Sequence, residues 1–187
     1  MNSNGSEYSR KYVSHYGLRT SPSKLTEVVE WYKNFLDARV QFDLGFGAFM
    51  TFDDEHHRLV IFCDDSTVDK DPNSAGVEHV GIGLPNFAAL ADEYERLKDR
   101  GILPSLPVNH GFTTSLYYRD PDNNEIELTV DNFETKDECT AWMKGDKMAA
   151  AMQPPTFGDV FDPEDMVRLV RNGAPQSELA TLGQPSE

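Results

Sequence analysis

Cysteine and positive charge are scarce in this chain of 187 residues. There are two cysteines, Cys63 and Cys139, and 17 Lys and Arg stand against 32 Asp and Glu, a net charge of −15 at pH 7. Two cysteines cannot staple a fold of this length. With no apolar segment in the polar residues 1–10, no secretory signal is read there, and a reducing cytoplasm is the expected location. The shortage of basic residues excludes a nucleic-acid binder, which needs a basic face to neutralise phosphates. It equally excludes a surface for anionic lipid. No run of 18 apolar residues exists, so no transmembrane helix is expected. Histidine is scarce too. The five are His15, His56, His57, His79 and His110.

What is present has a two-part pattern. Residues 1–10 read as a disordered lead-in. Aromatic and β-branched residues at 12–18 predict a strand. Ser21-Pro-Ser-Lys24 supplies a helix start, and Leu25, Val28, Val29, Tyr32, Phe35 and Leu36 line one face of an amphipathic helix. Strand-like runs follow at 39–44, 47–52 and 57–63. Residues 65–76 are polar and turn-rich and read as a linker. The order then repeats: a strand at 77–84, a helix at 87–100 closed by Gly101, and strands at 102–108, 112–119 and 125–130. Asp120-Pro-Asp-Asn-Asn124 makes the last turn.

The predicted fold class is therefore α+β. Two paired βαβββ modules, 11–64 and 77–131, form an open eight-stranded barrel-like sheet around a metal site. A helical tail, 132–187, lies outside the repeat. It holds a helix over 136–152, a shorter one from Asp162-Pro-Glu164 to before Gly173, and a frayed last dozen residues. A half of about 60 residues makes a marginal core alone, so the halves are expected to pair.

His15-Tyr-Gly-Leu18 and His79-Val-Gly-Ile82 occupy matching first strands. A single strand histidine is more often a satisfied core residue than a ligand. Two at matched positions reverse that reading. In Val77-Glu-His-Val-Gly-Ile-Gly-Leu84, alternation puts His79 on one face with Gly81 and Gly83, which leaves room for a metal or ligand. On the final strand both Glu125 and Glu127 lie on the face away from Ile126, Leu128 and Val130. Two imidazoles and one carboxylate with open positions suit non-haem Fe(II), and can also hold catalytic zinc. Asp54-Glu-His-His-Arg58 is not the His-Glu-x-x-His of zinc proteases.

The paired modules, His15, His79 and the run Tyr117-Tyr-Arg-Asp-Pro-Asp-Asn-Asn-Glu-Ile-Glu-Leu128 resemble the vicinal-oxygen-chelate superfamily. That group includes glyoxalase I, fosfomycin-resistance proteins and type I extradiol dioxygenases. The resemblance covers about residues 12–132 and is strongest to one-domain extradiol catechol dioxygenases of the dihydroxybiphenyl type. The tail run Phe157-Gly-Asp-Val-Phe-Asp-Pro-Glu164 is similar to theirs, less specifically.

The resemblance implies metal ligands His15, His79 and Glu127, the last lying six residues beyond Pro121. It implies His57, second of the pair His56-His57, as acid–base catalyst. His110 and Tyr117 would contact the substrate and assist catalysis. His110-Gly111 stands about two residues nearer the Asp-Pro turn than in the family's common form, and Tyr118 is the alternative to Tyr117. The strand over 57–63 carries no acid, unlike the four-ligand glyoxalase I, which favours the three-ligand iron site. The potassium loop of the fosfomycin-resistance proteins has no match.

The implied function is extradiol ring cleavage of a catechol-type vicinal aromatic diol with O2 at Fe(II), with Mn(II) as the alternative metal. Both oxygen atoms enter the ring-opened product. The implied partners are this small diol and O2, no nucleic acid, no membrane, and further copies of the chain in a homo-oligomer, a dimer or larger. The alternatives are a non-redox divalent-metal isomerase or lyase on the same scaffold, or a metal-free small-molecule binding protein.

Overall fold

A computed structural model of the protein describes residues 12–71 and 73–184. The lead-in predicted over 1–10 lies outside them. The chain divides into two compact units, 1–70 and 71–187.

The first unit runs β1 (Tyr16–Thr20), α1 (Leu25–Leu36), β2 (Arg39–Asp43), β3 (Gly47–Thr51) and β4 (Leu59–Cys63). Its sheet has the order β1-β4-β3-β2, with β1 parallel to β4 and the other pairs antiparallel. The helical period of its apolar residues lets α1 bury Val28, Tyr32 and Phe35. Ala48, Met50, Leu59 and Ile61 are buried with them.

The second unit repeats that order with β5 (His79–Gly83), α2 (Phe87–Asp99), β6 (Leu106–Asn109), β7 (Thr113–Arg119) and β8 (Glu125–Asp131). Asn86 caps α2 by accepting from the Ala89 N–H at 2.9 Å. Gly101, at φ 76°, closes the helix in the left-handed region that glycine adopts without Cβ strain. Leu90, Ala91, Tyr94 and Leu97 of α2 are buried, as are Ile126, Leu128 and Val130 of β8.

The tail supplies α3 (Lys136–Met143), α4 (Lys147–Ala151), β9 (Asp159–Val160), α5 (Pro163–Arg171) and α6 (Gln176–Leu179). β9 adds a fifth strand, giving the order β5-β8-β7-β6-β9.

The architecture is thus mixed α+β, with sheets of four and five strands and no closed barrel among the described residues. Several sequence boundaries need correction. The first strand begins at Tyr16, so His15 precedes it, and β4 begins at Leu59, so His57 lies in the turn before it. The helix predicted over 136–152 is two helices, because the chain turns at Gly145, whose N–H is taken by the Trp142 carbonyl at 2.9 Å. The last dozen residues, as far as 184, are not frayed. Leu179 and Leu182 are buried, and the Asn109 side-chain amide donates to the carbonyls of Ala180 (2.9 Å) and Leu182 (3.0 Å). Short turns rich in Gly, Pro and Ser look like a free end until a distant strand supplies partners.

Candidate metal and substrate site

In the second unit, alternation along β8 turns Ile126, Leu128 and Val130 to one face and Glu125, Glu127 and Thr129 to the other. Register then decides which acid meets which neighbour. Glu127 lies between Gly81 of β5 and Tyr117 of β7. Its Oε2 is 3.2 Å from His79 Nε2, and its Oε1 accepts from the Tyr117 hydroxyl at 3.0 Å. A Cβ at Gly81 would stand 3.0 Å from Glu127 Oε2, so the missing side chain makes the carboxylate's room. Glu125 is engaged elsewhere, accepting from Arg119 Nη2 at 3.2 Å. Burial raises its carboxyl above the usual range. Tyr118 points to the opposite face and is fully buried.

The other nitrogen of His79, Nδ1, contacts the Glu78 carboxylate. The Glu78 contact orients the imidazole so that Nε2 is directed at Glu127. An imidazole nitrogen and a carboxylate oxygen converging from two paired strands are chemically suited to a divalent iron or manganese. Among the described residues, neither unit by itself gathers three His, Cys, Asp or Glu donors in a metal-holding group.

His110 follows the last residue of β6 and is buried. Its Nε2 is 3.1 Å from the Tyr117 hydroxyl, and its Nδ1 is 2.7 Å from the Phe157 carbonyl. Burial first, then the charge and hydrogen bond of Glu127, push the Tyr117 phenol far above its ordinary value. His79, Glu127, Tyr117 and His110 therefore form one connected line across the sheet.

The first unit brings together His15 and His57, with ring centroids 4.4 Å apart. Phe49 meets His57 edge-on at 5.3 Å, and His56 lies beside it at 4.5 Å. Desolvation, then the neighbouring imidazoles of His15 and His56, lower the His57 pKa.

Two residues that the sequence reading missed hold this pair. Asp53 accepts from the Glu55 N–H at 2.9 Å and from Arg58 Nε at 2.8 Å, which folds the turn carrying His56 and His57. Arg58 Nη1 also donates to the Ser14 carbonyl at 3.0 Å, beside His15. A salt bridge across five residues of a turn carries no signature of its own in the sequence.

Residues 13–128 match the family described as the Glyoxalase/Bleomycin resistance protein/Dioxygenase superfamily, and the chain belongs to it. Within that class, two proteins of Rhodococcus globerulus are similar along most of their length. Biphenyl-2,3-diol 1,2-dioxygenase 3 is 37% identical over 171 residues, 90% of this chain and 87% of that protein. Biphenyl-2,3-diol 1,2-dioxygenase 2 is 38% identical over 170 residues, 90% of this chain and 86% of that protein. Among solved structures, a glyoxylase/bleomycin resistance protein/dioxygenase domain from Frankia sp. EAN1pec shares the fold. Its TM-score is 0.57 at 21% identity, covering 68% of this chain and 96% of that one.

Proposed function

We propose that this protein is an extradiol dioxygenase that opens a catechol-type aromatic diol with O2, both oxygen atoms entering the product. The observation that carries the reading is the line His79–Glu127–Tyr117–His110, set in a chain 37% identical to a biphenyl-2,3-diol 1,2-dioxygenase over 90% of its length. The metal ligands are His15, His79 and Glu127, held by two modules, 11–64 and 77–131, joined by 65–76 and arranged as an open barrel-like sheet around the metal. The tail is 132–187. The metal is Fe(II), with Mn(II) as the alternative. When bound, it supplies Lewis acidity that favours loss of a diol proton and a common meeting place for diol and O2.

The chain's own residues do the rest. Glu78 and Tyr117 orient the two ligand groups of the second unit. His57, whose pKa is lowered, would serve as acid–base catalyst, accepting a proton from the diol and later giving one back. The Tyr117 hydroxyl donates to a substrate oxygen as charge develops on it, and His110 Nε2 accepts from a substrate hydroxyl.

Reconstitution with Fe(II) without air, followed by a catechol and O2, tests the reading. One O2 consumed per diol, with a coloured ring-opened product, supports it. Metal-dependent conversion of substrate without O2 uptake indicates an isomerase or lyase instead. His15→Ala, His79→Ala and Glu127→Ala are each expected to abolish metal retention. Full metal content in all three removes this ligand set.

A reducing cytoplasm fits the free Cys63 and Cys139. No helix among the described residues is long and apolar enough to cross a membrane. A homo-oligomer, a dimer or larger, is in keeping with the exposed Phe42 and Phe46 at the β2–β3 edge. Light scattering that returns only the 21.1 kDa monomer excludes it.

A further inference from the structure

We infer that the tail is the positioning frame of His110. The Phe157 carbonyl fixes which imidazole nitrogen carries hydrogen and which one is presented at the site. A carbonyl oxygen has no hydrogen to give. Its 2.7 Å approach to His110 Nδ1 therefore places the hydrogen on that nitrogen. In the neutral ring Nε2 is then a bare acceptor, and Nε2 is the atom 3.1 Å from the Tyr117 hydroxyl. A ring of the opposite tautomer would set a lone pair against the Phe157 oxygen and lose that hydrogen bond inside the protein.

The tail holds the Asn109-His110-Gly111 segment from several sides. β9 pairs with β6 at Val108 and Asn109. Gly158 lies so close to β6 that a Cβ there would stand 2.4 Å from the Asn109 carbonyl oxygen. The Trp142 ring covers Gly111, where a Cβ would meet it at 2.5 Å. The Asn109 amide donates to the carbonyls of Ala180 and Leu182. Packing of this density leaves the Phe157 oxygen little freedom to leave His110. Phe157 itself adopts φ 54°, a left-handed conformation uncommon for a bulky residue, and its carbonyl meets His110 in that conformation. Phe157 is thus a positioning residue acting through its main chain.

The inference rests on the reading that His110 touches substrate, and the experiment separates the two. Long-range proton–nitrogen spectra of the full chain, loaded with diamagnetic Zn(II), report which His110 nitrogen carries hydrogen. A hydrogen on Nδ1 is expected in the wild type, and a ring protonated only at Nε2 overturns the inference without any variant.

Gly158→Ala must push the backbone off Asn109 and with it the Phe157 carbonyl. The expected result is a mixed tautomer population and a kcat on a catechol lowered about tenfold or more, as for other small misplacements of catalytic groups. A folded Gly158→Ala protein that keeps the wild-type spectrum and kcat overturns the inference. In a His110→Ala background the same change is expected to cost nothing further, whereas additive losses show a merely structural glycine and also overturn it. If His110→Ala alone leaves kcat unchanged, the substrate role of His110 fails, while the spectra still decide whether the tail sets the ring.

Discussion

Tyr117 has one hydroxyl hydrogen and two neighbours placed to accept it, Glu127 Oε1 at 3.0 Å and His110 Nε2 at 3.1 Å. Its value lies in that hydroxyl rather than in its ring. Tyr117→Phe is expected to keep the fold and, with the metal supplied at saturation, to lower kcat roughly tenfold to a hundredfold, the scale of losing one preorganised donor. Steady-state kinetics beside metal analysis checks this, and an unchanged kcat removes Tyr117 from the reaction.

Asp53 offers a second test at this scale. Its carboxyl is held below the usual range by the hydrogen bond from the Glu55 amide and by Arg58. A depressed folded-state pKa stabilises the protein above the unfolded value, about 4, and that stabilisation is lost as pH falls through the folded value. Asp53→Asn is therefore expected to melt below the wild type at pH 7, with the gap closing as pH falls below about 4. Melting curves at several pH values read the gap, and a constant one contradicts the account.

Strands β5 and β8 run parallel, and their register sets Gly81 against Glu127. A side chain at position 81 would press on the Glu127 carboxylate and nothing else nearby. Gly81→Ala is expected to weaken metal binding about tenfold or more while leaving the melting temperature of the metal-free protein nearly unchanged. Competitive chelator titration measures the first and calorimetry the second. Wild-type affinity shows that the glycine is not what seats the carboxylate. The same strand explains why Glu125 is no substitute, since it sits beside Arg119 two residues nearer the turn. That turn is rigid because Asp120 accepts from the N–H groups of Asp122 (2.9 Å) and Asn124 (2.8 Å).

In the second unit as a whole, the tail is part of the folded body. α5 docks on α2 through the fully buried Met166, the Tyr94 hydroxyl donating to Glu164 at 2.6 Å, and Arg171 paired with Asp92 at 2.6 Å. Met166→Ala leaves a cavity at that seam and is expected to cost about 2–4 kcal/mol in denaturant unfolding. A loss below about 1 kcal/mol means that the helix is not held by its core.

Much of this was legible in the sequence. Periodicity is local, so the repeated order of elements, the buried face of α2 and the Asp120 turn could be read from neighbouring residues. The matched histidines could be read because each begins its half. The strands predicted to start at 12 and 57 start instead at 16 and 59, because Arg58 and the carbonyl of Ser14 are far apart in the chain and only folding joins them. By its own residues the sequence determined two βαβββ repeats and a short roster of histidines, carboxylates and tyrosines, for alternation and helical period are properties of adjacent residues. Only the tertiary structure decided that Glu127 meets His79, that Tyr117 links it to His110, and that a carbonyl 47 residues further along orients that last ring. Strand register and long-range hydrogen bonds exist only once distant segments have packed.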